Sequence, residues 1–206
     1  LDYIGGSKDL KGDRRIETRS QDVTVGIVFE NNGQISLNTG RTFDRLLAPT
    51  RIQGLIIPRG DYLYTDFNAS FNTDASEKIS GNAGINWGEF WNGRRRSLTT
   101  GLAIKPDYRL NIGLTYSRDL IKLPSGKAST DLAGARIIYG ISPRSFVNTF
   151  FQYNSTTHEI STNIRYNITY RPLSDIYLVY NDRRNTALNQ PLERAFIVKV
   201  TNLFSF

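Results

Sequence analysis

The sequence contains no cysteine, no methionine and a single histidine, His158. Without thiols there is no disulfide framework, no thiolate zinc site and no cysteine nucleophile, and one imidazole cannot build a multi-histidine metal centre. No apolar run approaches the ~20 residues that a helix needs to cross a bilayer. A membrane β-barrel is untouched by that exclusion, because its apolar residues are hidden in alternation. A chain without methionine that starts at Leu1 is expected to be a fragment or a processed product, and it offers no signal peptide to read.

What is present is aromatic and cationic. The 206 residues include 11 Tyr and 11 Phe, which sets the chain apart from disordered sequences. The formal net charge of +7 allows an anionic partner, whether nucleic acid, lipid phosphate or acidic glycan, without choosing among them.

Period two dominates, and no capped helical pattern competes with it. Ile160, Thr162, Ile164, Tyr166, Ile168 and Tyr170 alternate with Ser161, Asn163, Arg165, Asn167, Thr169 and Arg171. Leu110, Ile112, Leu114 and Tyr116 oppose Arg109, Asn111, Gly113 and Thr115, and Leu98, Leu102 and Ile104 stand in a similar pattern. Stretches near Ile79–Trp87 and Leu63–Phe71 behave likewise, and 21–30, 34–43, 131–141, 145–154, 175–181 and 194–206 complete a set of about eleven strands. The expected fold is all-β, with antiparallel strands in up-and-down order.

A sandwich and a barrel both accommodate such strands. Connection lengths favour the barrel. Asn31-Asn32-Gly33, Pro106-Asp107, Ser142-Pro143-Arg144 and Pro172-Leu173-Ser174 are tight turns. Between them fall longer joins at 44–61, 120–129 and 182–193, and a shorter one near Trp91-Asn92-Gly93. Short turns at one end and longer loops at the other describe a transmembrane barrel of the outer-membrane kind. The join at 72–78 is long for a turn and 154–158 short for an outer loop.

The last strand places Phe196, Val198, Val200, Phe204 and Phe206 on one side, interrupted by Asn202. A terminal Phe with apolar residues at every second position resembles the C-terminal signal by which Gram-negative outer-membrane barrels are recognised for insertion. It implies the barrel-assembly machinery as a partner during biogenesis. A soluble edge strand would leave the same residues as an aggregation-prone edge. With Phe206 on the periplasmic side, eleven alternating strands put residues 1–20 in an extracellular loop. Because single-chain barrels have even strand numbers, at least one strand is then expected before Leu1, making residues 1–206 the C-terminal part of a larger barrel.

Several segments carry a family resemblance: Ile57-Pro58-Arg59-Gly60-Asp61-Tyr62, Asn86-Trp87-Gly88-Glu89-Phe90-Trp91-Asn92-Gly93-Arg94-Arg95, Gln152-Tyr153-Asn154-Ser155, Ser161-Thr162-Asn163-Ile164-Arg165 and Tyr177-Leu178-Val179-Tyr180-Asn181. With the final strand, they resemble the C-terminal barrel of a large uncharacterised outer-membrane family whose members carry an N-terminal domain similar to family nine carbohydrate-binding modules. That module is absent here. The resemblance implies a cell outer-membrane location and a glycan-related role. Members are often described as hydrolases, but no motif in this sequence supports hydrolysis.

Chemistry-bearing residues are sparse. His158, between Thr157 and Glu159, reads as a solvated loop residue rather than a general base. No carboxylate pair, phosphate-cradling loop or metal-ligand cluster is recognisable, so no catalytic residue, metal or cofactor is assigned. Arg94, Arg95 and Arg96 lie next to Trp91 near an expected outer loop. In a membrane they would meet lipid or lipopolysaccharide phosphates, which is preferred to nucleic acid. Trp87, Phe90, Trp91, Tyr62 and Tyr64 read as an aromatic girdle, with sugar stacking on Trp91 as the alternative. Asp66, Arg109, Arg136, Arg165 and Lys199 are expected to face the lumen, with Asn residues between them.

The leading functional expectation is a pore or transport conduit. A non-conducting barrel that anchors or scaffolds another outer-membrane or periplasmic protein is the alternative, an outer-membrane hydrolase the third, and a soluble β-sandwich binding module the alternative at the level of the fold. The C-terminal pattern is tested directly: Phe206→Asp in the full-length protein should lower its outer-membrane level strongly, while barrels already assembled keep their stability. Normal outer-membrane levels of that variant would refute the insertion-signal reading.

Overall fold

The computed structural model describes residues 2–8 and 14–203, with side chains from residue 16 onward. Every regular element is a strand: β1 (Asp2–Lys8), β2 (Arg14–Val28), β3 (Gln34–Leu46), β4 (Thr50–Ile52), β5 (Leu55–Ile57), β6 (Gly60–Asn72), β7 (Ile79–Phe90), β8 (Gly93–Ile104), β9 (Leu110–Leu123), β10 (Gly126–Ser142), β11 (Ser145–Asn154), β12 (Glu159–Arg171), β13 (Ser174–Asn185) and β14 (Gln190–Thr201). β4 and β5 form a small two-stranded sheet, and the rest form one 12-stranded sheet in the order β1-β2-β3-β6-β7-β8-β9-β10-β11-β12-β13-β14. The fold is therefore all-β with up-and-down strand order, as the alternation leads one to expect.

The chain divides into two compact units. One comprises Leu1–Asp74, Asn82–Thr99 and Arg118–Thr130, the other Ala75–Gly81, Thr100–Ser117 and Asp131–Phe206. In the first, register aligns Val23, Thr39, Phe67 and Trp87 in one row, Val25, Leu37, Ala69 and Ile85 in the next, and Ile27, Ile35, Phe71 and Ala83 in a third. The intervening rows are Thr24, Asn38, Asn68 and Asn86, and Gly26, Ser36, Ser70 and Gly84. Since side chains alternate across a strand, these rows belong to opposite faces, one apolar and one polar.

The second unit repeats the division. Tyr139, Val147, Tyr166, Leu178 and Val198 form one row and Ile137, Thr149, Ile164, Tyr180 and Phe196 another. Opposite them run Arg136, Phe150, Asn163, Asn181 and Ala195, and Ile138, Asn148, Arg165, Val179 and Ile197. This polar face is mixed, so alternation alone overstates its polarity.

The apolar face is uncovered. Val25 is 64% exposed and Phe196 67%. Among the described residues the only buried apolar side chains are Leu55, Ile57, Ile121 and Leu123, and they belong to a cluster built around the β4–β5 hairpin. Everything else is held by the backbone ladder and cross-strand pairs.

Several expectations are corrected. The described part of 1–20 is strand rather than loop, because β1 occupies Asp2–Lys8 and pairs with a β2 that begins at Arg14. The sequence Glu17-Thr18-Arg19-Ser20-Gln21 lacks apolar alternation, so a pattern search misses a segment that the ladder itself organises. With twelve strands in the sheet, the parity argument loses its premise. The longer joins also shrink: β9 runs to Leu123 and β10 starts at Gly126, while β13 runs to Asn185 and β14 starts at Gln190. Only the β3 to β6 connection remains long, and it contains the hairpin. Phe196, Val198 and Val200 lie on β14, whereas Phe204 and Phe206 fall outside the described residues.

The division into faces predicts unequal tolerance to charge. In lipid vesicles, Leu114→Arg and Ile164→Arg should each destabilise the folded protein by about 2–4 kcal/mol, and Asn111→Arg, on the opposite face of β9, by well under half of that. Denaturant unfolding of vesicle-inserted protein measures the difference; equal penalties would mean that the faces are wrongly assigned.

Candidate functional site

The polar face of the first unit holds the most organised chemistry. The β4–β5 hairpin turns through Gln53 and Gly54, both at positive φ (48° and 81°). A two-residue turn with both φ values positive suits the twist of a hairpin, and Gly at the second position is the residue that adopts it freely. Leu55 and Ile57 then pack with Ile121 and Leu123 of β9, flanked by Leu46, Ile52, Tyr62, Phe90, Trp91 and Ala128. Polar contacts fix the seat: Gln53 Nε2 donates to Asp119 Oδ2 at 3.3 Å, and the Ile56 amide donates to Ser125 Oγ at 3.2 Å. Asp119 also receives Arg95 Nε at 2.7 Å, and the Arg95 guanidinium lies 5.4 Å from the Phe90 ring centre.

Asp44 anchors a second knot beside the hairpin. Its Oδ1 accepts from Thr18 Oγ1 at 3.0 Å, and its Oδ2 from the Tyr64 hydroxyl at 2.7 Å and from Trp91 Nε1 at 3.2 Å. Trp91 stands at φ 48°, a strained position for a bulky side chain. The strain is offset by this hydrogen bond and by packing against Phe90 and Tyr64, whose ring centres lie 4.5 and 6.4 Å away. Further along the face, Asn86 Nδ2 donates to Asp66 Oδ2 at 2.8 Å. A Cβ at Gly40 would lie 2.9 Å from Asp22 Oδ1 and 3.2 Å from Asp66 Oδ1, so two carboxylates flank that glycine.

Placement of the expected residues is uneven. Asp66 is on the polar face, as the alternation implies, but Asp22 and Asp44 share that face and were not expected there. Extending the alternation of 34–43 by one residue would have found Asp44. In the second unit Arg136, Arg165 and Lys199 share the polar face, where the Arg136 guanidinium sits 5.4 Å from the Phe150 ring centre and Asn163 donates to Asn181. Asp175 lies on the same face at the β12–β13 turn, bonded by Thr169 Oγ1 at 2.6 Å. Arg109 is not on a strand face; it belongs to the β8–β9 turn, its Nε donating to the Tyr108 hydroxyl at 2.9 Å.

The basic run is divided. Arg94 and Arg96 are exposed, whereas Arg95 turns to the other face toward Asp119. The aromatic girdle is divided too. Trp87 stays on the apolar face and stacks on Phe67 at 5.8 Å, while Tyr62, Tyr64, Phe90 and Trp91 surround the hairpin. Trp91 is thus occupied by its neighbours rather than presented as a sugar platform. His158 lies in the β11–β12 turn at φ 53°, and its carbonyl accepts from the Thr186 amide and hydroxyl. Among the described residues no group of His, Asp or Glu forms a metal site.

Compared with models of known protein families and with curated proteins, the sequence matches none.

Asp44 gives this site a direct test. Asp44→Ala removes the acceptor of three side-chain donors and should cost about 2 kcal/mol, since hydrogen bonds to a partly buried charged group are worth roughly that order in sum after solvent compensates. Released from its hydrogen bond, Trp91 should also change its fluorescence. Unchanged emission and unfolding midpoint would show that the Asp44 knot contributes nothing.

Proposed function

We infer that this chain is a membrane-crossing β-barrel region of a bacterial outer membrane, whose polar face lines a conduit narrowed by the β4–β5 hairpin. The observation that carries the reading is the uncovered apolar face: strand after strand presents Val, Ile, Leu, Phe and Tyr on one side, and among the described residues no second layer buries them. A water-soluble domain rarely exposes so much contiguous apolar surface, while hydrocarbon solvates it without cost. The strands of 10 to 17 residues in the large sheet from β2 onward reach or exceed the ~9–11 residues that a tilted strand needs to cross a bilayer. Closure of the sheet, by β1 on β14 or through further strands of the same protein, is part of the proposal, because an open edge in lipid leaves backbone groups unsatisfied. So are the resemblance to the outer-membrane family and its glycan-related role.

A second reading, the non-conducting anchor, is favoured by one observation. Leu55 and Ile57 pack firmly over the polar face, and a seat of this kind serves equally well to obstruct flow. Planar-bilayer conductance of the intact protein separates the two. If the polar face lines an open path, Arg165→Glu should move the reversal potential in a salt gradient toward cations, because lining charges set selectivity. Ile57→Ala, which cuts a wholly buried anchor of the hairpin, should raise conductance. Folded, inserted protein that conducts neither as wild type nor as Ile57→Ala would sink the conduit and leave the anchor.

A further inference from the structure

The apolar face carries a feature that neither a conduit nor an anchor requires. Arg94 and Arg96 on β8, Lys122 on β9 and Lys127 on β10 are all exposed. Together with Leu120 and Ser129 they line one open groove of about 560 Å³. No acid lines it, and among the described residues none of the four cations is in an ion pair. Four unneutralised cations side by side repel one another, an arrangement that an anion bridging them relieves.

The groove sits where an apolar surface gives way to charge. Along β8 the exposed series Arg94, Arg96, Leu98 passes from cation to hydrocarbon in three alternate residues. Along β9 it runs from Lys122 to exposed Leu120. A ligand matching this surface is anionic at one end and aliphatic at the other. We propose that Arg94, Arg96, Lys122 and Lys127 form a binding site for the phosphate headgroup of an anionic membrane lipid whose acyl chains lie along Leu98 and Leu120. Guanidinium and ammonium groups suit phosphate as fork and point-charge donors respectively. The site rests on the membrane reading above and deepens it, because it assigns the β7–β8 and β9–β10 turns to the leaflet that carries the phosphates.

The test uses the whole protein folded into phosphatidylcholine vesicles, with insertion verified first by resistance of the folded band to unfolding on a gel at room temperature. Binding of diphosphorylated lipid A is then compared with binding of its dephosphorylated form. Wild type should prefer the phosphorylated lipid. Joint substitution R94Q, R96Q, K122Q and K127Q, which removes the charges and keeps polar side chains, should weaken that preference at least about tenfold, given the attraction of each basic residue to anionic lipid. Joint substitution R144Q and R171Q, at the opposite ends of the strands, should change nothing.

Equal binding of the two lipid forms by wild type, or full retention of the preference in the fourfold variant, would overturn the site while leaving insertion intact. If inorganic pyrophosphate or single-stranded DNA displaces the lipid at micromolar concentration, the groove is a general polyanion site and the lipid assignment is wrong. Failure of wild type to insert at all would strike the membrane reading itself, and this site with it.

Discussion

One constraint organises the molecule: a single-layer sheet has two faces and no second layer to bury either. In a soluble fold the apolar rows built on Val25, Leu37, Ala69 and Ile85, or on Ile137, Ile164, Tyr180 and Phe196, would pack against another sheet or a helix. Here nothing covers them among the described residues. The backbone ladder satisfies its own N–H and C=O groups, and the apolar face asks for a solvent that makes no polar demands. The polar face asks for water. A bilayer with an aqueous interior supplies both, which is why the membrane proposal follows from the division of faces and not from composition.

Much of this was legible in the sequence because a strand's side chains alternate strictly: six consecutive alternations from Ile160 to Arg171 fix β12 and its register without knowledge of any partner. The failures share a cause. A pattern search sees strands through their apolar face, so it misses the segments whose alternation is polar on both sides. On that signal β1 and the start of β2 read as loop, β10 and β14 begin late, and β9 and β13 end early. Asp44 lies one residue past the alternation of 34–43, so the acids of the polar face are undercounted. Arg95 was misjudged differently. Within Arg94-Arg95-Arg96, alternation already requires the middle residue to face away from its neighbours, and Asp119 gives it a partner.

The aromatic residues show how tertiary context overrides a sound local rule. Trp87, Phe90 and Trp91 sit close together at the end of β7, and aromatics near a strand end are commonly interfacial. Yet residues 87 and 90 point to opposite faces. Trp87 meets Phe67 on the apolar side, while Phe90 and Trp91 join Tyr62 and Tyr64 under the hairpin. Gly88 between them stands at φ 150°, where a Cβ would fall 2.6 Å from Asp66 Cα and from Thr65 O. The close approach of β6 and β7 at that point excludes every side chain larger than hydrogen, while alternation along β7 sends residues 87 and 90 to separate faces.

The hairpin's destination was encoded as a fault in the pattern. Along Leu120-Ile121-Lys122-Leu123, Ile121 and Leu123 point to the face that elsewhere carries Asn, Ser and Asp, so β9 is apolar on its wet side at one end. Exposing both to water forfeits roughly 1.5–3 kcal/mol for each side chain. The sequence Leu55-Ile56-Ile57 shows the complementary feature, an apolar run preceded by a Gln-Gly turn inside the connection between β3 and β6. Two distant breaks in alternation on the same face cancel when they meet, and Leu55, Ile57, Ile121 and Leu123 become the buried cluster. Where a regular period dictates most of a fold, its exceptions carry the information about long-range contacts, and in this chain they identify the one segment that leaves the sheet to lie across it.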